Sequence, residues 1–168
     1  ERDIYYFEIG NKAHFDTVVE KISSSVFESG ITMTEFDTPE GLSIGIYDSN
    51  SVDKELGRIV LYDAGLNFSF SKNGVDMSYG DKPILNMQTE SIDKSVYDCI
   101  DRISSSLTSS SNLSYSITGS SANDSILIVT AMQTIDGNLI KDVYLNYVFV
   151  DNELAILSGN WITASPKA

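Results

Sequence analysis

The chain has 168 residues, 42% of them hydrophobic, with 11 basic against 24 acidic side chains and a formal net charge of −13. A chain of this length buries about 70% of its unfolded surface, so it needs neither disulfides nor metal to fold, and its apolar content argues against a disordered segment. The acidic balance, without a basic stripe anywhere, excludes nucleic acid and disfavours an anionic membrane surface, because both demand clustered Lys and Arg.

In chain order, a short strand is expected over 4–9 and a helix over 13–29, where Phe15, Val18, Val19, Ile22 and Val26 follow helical spacing. Strands then follow over 31–36, 42–47, 58–70 with a break at Ala64-Gly65, and 75–79. The turn-rich Gly80-Asp81-Lys82-Pro83 closes this part. Beyond it come a strand over 84–88 and a helix over 92–109 with Val96, Cys99, Ile100, Ile103 and Leu107 on one stripe. Strands over 113–117, 126–135, 139–150 and 154–157 complete the chain. Asn73-Gly74, Asp136-Gly137 and Asp151-Asn152 each suit a tight hairpin.

The two parts echo one another. VVEKISSSVFESG from Val18 sits against CIDRISSSLTSSS from Cys99, so that Glu20-Lys21 meets Asp101-Arg102 and Ile22 meets Ile103. Later, Leu66, Asn67, Phe70, Asn73 and Gly80 are matched by Leu145, Asn146, Phe149, Asn152 and Gly159. Two blocks in the same order point to a tandem duplication. The expected fold is α+β, two strand–helix–antiparallel β-meander units over 1–82 and 83–168, each helix packed on one face of its sheet, as two lobes or one compact domain. Phe68, Phe70, Tyr147 and Phe149 should face the helices. Within the serine triplets, Ser24 and Ser105 should point to solvent while Ser25 and Ser106 sit at the margin of the apolar stripe. The alternative for these serines is a hydroxyl row that binds a ligand.

Catalytic chemistry is thinly represented. His14 is the lone histidine, without a second ligand or base partner, and is expected at the surface. Cys99 is the lone cysteine; it excludes an internal disulfide and reads as a small buried hydrophobe on its helix. Asp48 to Glu55 faintly resembles a calcium loop but has Val52 where an oxygen ligand belongs and lacks the central glycine. Asn67, Asn112 and Asn123 match a glycosylation triplet that recurs by accident. With no phosphate-cradling loop either, the sequence argues against an enzyme, a metal and a cofactor.

The places where the two parts disagree are more informative. Ser69 and Ser71 face Val148 and Val150 in the alignment, Gly65 faces Tyr144, Asp76 and Ser78 face Ala155 and Leu157, and Ser43 and Gly45 face Leu127 and Val129. The change is always toward apolar side chains, so Leu127, Val129, Tyr144, Val148, Val150, Ala155 and Leu157 form a candidate interface. The other unit, a second copy of the chain in a homo-oligomer, or a protein partner would cover it.

The stretch ILIVTAMQTIDGNLIKDVYLNYVFVDNELAILSGNW, from Ile126 to Trp161, resembles the YycI/YycH family of Gram-positive cell-envelope regulators, through Gly137 with Leu139-Ile140, an Asn turn and the closing Gly159 and Trp161. The helix-then-meander unit also looks like PepSY-type modules. The resemblance implies a non-enzymatic extracytoplasmic domain, tethered by one membrane helix, that adjusts a sensor histidine kinase through protein contacts. No run of roughly 18 apolar residues occurs in the sequence, which opens at Glu1, so such an anchor or signal is expected upstream. A small-ligand or peptide sensor using the groove between the units, or a PepSY- or cystatin-like protease inhibitor, are the alternatives; a cytosolic role stays open.

Overall fold

The computed structural model describes residues 5–8, 12–27, 30–39, 41–62, 67–77, 82–108, 112–161 and 163–166. The elements run β1 (Tyr5–Glu8), α1 (Lys12–Val26), β2 (Ile31–Thr38), β3 (Gly41–Asp48), β4 (Ser51–Tyr62), β5 (Asn67–Lys72) and β6 (Leu85–Asn86). A 3-10 turn (Thr89–Ser91) leads to α2 (Lys94–Ser106), β7 (Leu113–Ala122), β8 (Ile126–Ile135), β9 (Asn138–Val150), β10 (Glu153–Gly159) and β11 (Thr163–Pro166). The helices form where apolar residues recur at helical spacing: Val18, Val19 and Ile22 are buried in α1, and Val96, Ile100 and Ile103 in α2. Asp93 starts α2 by accepting hydrogen bonds from the Ser95 backbone N–H at 2.9 Å and the Ser95 hydroxyl at 2.8 Å, which hold its carboxyl below the usual range.

The expected tandem α+β fold is overturned. Nine strands form one continuous antiparallel sheet in the order β2-β3-β4-β5-β10-β9-β8-β7-β6, and the helices do not each serve a sheet of their own. The joint is β5 against β10, where Phe68, Ser69, Phe70 and Ser71 pair with Gly159, Ser158, Leu157 and Ile156. Two separate meanders would each leave such a strand as an open row of N–H and C=O groups, and pairing them removes both edges. The leading strands are not equivalent either. β1 pairs with β11 in a separate two-stranded sheet, whereas β6 is a two-residue strand at the margin of the main one.

Local departures have local causes. β4 begins at Ser51, inside the stretch resembling a calcium loop: Asp48 Oδ1 accepts from the Asn50 N–H at 2.9 Å, closing a tight turn into the strand. Residues 75–77 are not strand, and the rest of the strand expected over 75–79 lies outside the described residues. Asn123 acts as a turn former, its Oδ1 accepting from the N–H groups of Ser125 and Ile126.

Cross-strand pairing divides the sheet into rows. Val129, Tyr147, Leu157, Phe70, Ile59 and Ile44 lie side by side across six strands, and every one is buried. Both helices cover this face. Phe27, just after α1, meets the Phe70 ring edge-on at 6.1 Å, and Ser104 of α2 lies 2.6 Å from the Tyr147 hydroxyl. Phe68, Phe70, Tyr147 and Phe149 are thus all on the helix side, and each fully buried side chain of this size contributes about 1.5–3 kcal/mol.

The serine triplets resolve residue by residue. Ser24 and Ser105 are exposed and Ser25 and Ser106 half-buried, as the helical wheel requires. The first serine of each triplet, Ser23 and Ser104, is fully buried. These small side chains lie on the faces that the helices turn to the core; Ser104 meets the Tyr147 phenol, which burial pushes above its usual range. Arg102 ties the two helices by donating to the Ser25 carbonyl oxygen at 2.9 Å, near the negative end of α1.

Candidate functional site

The seven residues expected to form one apolar face divide between both faces of the sheet. Leu127 pairs with Phe149, and Val129 and Leu157 lie in the buried row under the helices, so these three belong to the core. Tyr144, Val148 and Val150 alternate with Leu145, Tyr147 and Phe149 along β9 and face the opposite way. Ala155 is the extra residue of a bulge in β10, between Leu154 against Phe149 and Ile156 against Val148. The structure therefore brings together Tyr144, Val148 and Val150, and separates them from Leu127, Val129 and Leu157.

On the face away from the helices, pairing adds residues that the sequence comparison did not single out. Ile128, Val148 and Ile156 form one row, Ile126 and Val150 the next, and Met132 pairs with Tyr144 toward the other end. Ile128, Val148, Ile156 and Met132 are half-buried, and Tyr144 is 38% exposed. A polar row of Thr130, Asn146 and Ser158 crosses between Tyr144 and Val148, with the Thr130 hydroxyl donating to Asn146 Oδ1 at 2.8 Å. The two-residue alternation from Ile126 to Met132, ahead of the register shift before Thr134, was the signal for Ile128; the bulge hid Ile156.

Toward β2 the same face changes character. The Ile128–Val148–Ile156 row continues as Ser71, Arg58, Gly45 and Thr34. The Arg58 guanidinium lies 5.2 Å from the centre of the Phe36 ring and donates to Glu55 Oε1 at 2.7 Å, a bond that raises its pKa further. A Cβ on Gly45 would come within 2.8 Å of the Tyr47 ring, so this glycine makes room for the aromatic cover. Ser43, in the adjacent row, has a buried hydroxyl with no hydrogen-bond partner among the described residues.

Groups capable of chemistry are scattered. His14 lies in the first turn of α1, but its side chain, and with it the expected surface position, is not among those described. Among the described residues no three His, Cys, Asp or Glu side chains are placed to hold a metal ion, and no helix is long and apolar enough to cross a membrane. A hollow of about 390 Å³ lies between the Asp93 cap and the hairpin ends at Asp124 and Asp151, and Asp124 is paired with Lys82. A second, of about 470 Å³, is lined by Tyr97, Asp101 and Tyr115, whose phenol donates to Asp101 Oδ1 at 2.6 Å. Burial and then this acceptor raise the Tyr115 pKa beyond its usual range, so the phenol is a fixed donor rather than a base.

Cys99 packs against the core but is only half-buried, less than its place on the helical stripe suggested. Burial raises its thiol pKa, against a weaker opposite pull from Arg102 and Lys72. A raised pKa leaves less thiolate at neutral pH. Labelling of the native protein should therefore be several-fold slower than that of the unfolded chain and should climb as pH passes the ordinary thiol range. Cys99→Val should shift stability by no more than about 1.5 kcal/mol. Equal labelling rates for native and unfolded protein would show that the thiol is not shielded.

No family model, curated protein or solved structure matches this chain.

Proposed function

We propose that the chain is a non-enzymatic, extracytoplasmic regulatory domain that works by protein contact. In line with the resemblance of residues 126–161 to the YycI/YycH family, its partner would be a membrane sensor kinase or a related regulator. The observation that carries the reading is the apolar stripe on the sheet face away from the helices, Ile128, Val148 and Ile156, with Tyr144 beyond the polar row. Such a stripe, partly exposed and bordered by Thr130, Asn146 and Ser158, has the composition of an interface core with a polar margin. The half-buried positions also separate binding from folding, because their side chains contribute less to the core than the row under the helices does.

The test is co-purification of the sensor kinase with the full-length protein from membranes, comparing the native chain with Val148→Ser and Ile156→Ser. Each substitution is expected to weaken association by about tenfold or more while costing about 1–2 kcal/mol of stability at most. A kinase that is retained equally by both variants, or never retained by the native protein, would overturn the reading.

A further inference from the structure

The two margins of the main sheet are built differently. At one, β6 is only two residues long and follows Pro83, the Met87 N–H is bonded to the Ser120 carbonyl, and β7 is bent by a bulge between Ile117 and Gly119. These are the devices by which a sheet edge is closed to further pairing. At the other margin, β2 pairs with β3 through eight consecutive residues without a register shift. Among the described residues β3 is its one strand partner, and residues 32–37 are all exposed. The strand ITMTEFDT contains neither proline nor lysine and is rich in β-formers. On an edge strand every second residue turns its N–H and C=O outward, so this margin is a template for another strand.

The surroundings of β2 say which strand. Met33, Glu35 and Asp37 are on the helix side of the strand, opposite Ile46, Ile44 and Leu42. Between them and α1 is a hollow of about 420 Å³, with Val19, Met33 and Ile44 as its apolar lining and Asp16, Glu20 and Glu35 as its acids. Met33 is 49% exposed there. A neighbouring strand would send alternate side chains over this row. Lys or Arg at those positions would lay an apolar stem on Met33 and bring its charge to the carboxylates. On the other side Thr32, Thr34 and Phe36 are neutral and accept β-branched or aromatic neighbours. A second copy of this chain fits poorly, because it would bring the same acids to the junction between two molecules of net charge −13.

We infer that β2 is a docking edge for an extended basic segment of another protein, which adds to the sheet as a further strand with Lys or Arg at alternate positions facing α1. The site is remote from the apolar stripe on β8 to β10 and does not rest on the function proposed above.

An eight-residue peptide of alternating Lys and Val, its acidic counterpart of alternating Glu and Val, and two analogues of the basic peptide N-methylated at odd or at even positions provide the test, with binding to the intact protein followed by fluorescence anisotropy and amide exchange. The basic peptide should bind and protect amides of β2, and the acidic one should not bind. The two methylated analogues should differ by about tenfold or more, because only one blocks the N–H groups facing β2. Met33→Lys should weaken binding by a similar factor with the thermal midpoint little changed, since a lysine on an edge strand opposes pairing without entering the core. Equal binding of both analogues would reduce the effect to charge alone. Protection confined to other strands, or a dimer through β2 without peptide, would likewise overturn the inference.

Discussion

Replacing Trp161 with alanine is expected to destabilise the protein by about 3–5 kcal/mol, the usual cost of truncating a buried tryptophan. The side chain is 2% exposed, its ring lies 6.5 Å from that of Tyr115 on β7, and its Nε1–H donates to the Thr108 hydroxyl at 3.4 Å. It therefore joins the segment after β10 to the end of α2 and to the far side of the sheet, and alanine would leave a cavity touching all three. For a chain of this size the thermal midpoint should fall by roughly 6–20 °C. Trp161→Phe, which keeps an aromatic ring in place but loses the hydrogen bond and part of the volume, should recover more than half of the loss. A midpoint for Trp161→Ala within about 2 °C of the native protein would mean that this residue does not close the core.

Gly159→Ala should be comparably severe for a different reason. Gly159 has φ +139°, and a Cβ built there would lie 2.1 Å from the Tyr144 carbonyl oxygen, a distance no real contact reaches. That oxygen is also held in place, since it accepts the Asn160 N–H at 3.1 Å. The backbone of β9 or β10 has to move, at a cost of about 3 kcal/mol or more. Gly137 is the control: its φ is +80° but a Cβ meets nothing within 4 Å, so alanine there should cost only about 1 kcal/mol for the backbone conformation. Equal denaturation midpoints for the two variants would refute the steric argument.

The elements that repeat locally were legible. The helical stripes of Val18, Val19 and Ile22 and of Val96, Ile100 and Ile103 are the buried ones, and the turns at Asp136-Gly137 and Asp151-Asn152 do have positive φ at all four residues. Strand partnership was not legible, because the pairing of β5 with β10 is a contact between distant segments that no local pattern encodes. The first part of β4, from Ser51 to Lys54, is exposed, polar but for Val52, and looks like a loop until its hairpin is seen.

At the candidate site the failure is one of parity. Ser43 and Gly45 pair with Val60 and Arg58 on the face away from the helices, whereas Leu127 and Val129, aligned with them, pair with Phe149 and Tyr147 on the helix face. A slip of one residue in a strand alignment exchanges the two faces. The bulge at Ala155 does the same within β10, since it breaks the alternation that would otherwise place Ala155 and Leu157 together. Alternation without bulges gave Tyr144, Val148 and Val150 correctly as one face of β9.

The seam between β5 and β10 also governs how the molecule comes into being. Phe70 has to find Leu157, about half the chain away, so the central pairing is among the last that synthesis permits and among the most costly in chain entropy. Until β10 leaves the ribosome, β5 has a bare edge carrying Phe68 and Phe70, both destined for the core. A nascent or partly unfolded chain is sticky there, and β5 of one molecule can accept β10 of another. Exchange of strands between molecules at this seam, rather than disorder at the surface, is the route by which the protein is most exposed to misassembly.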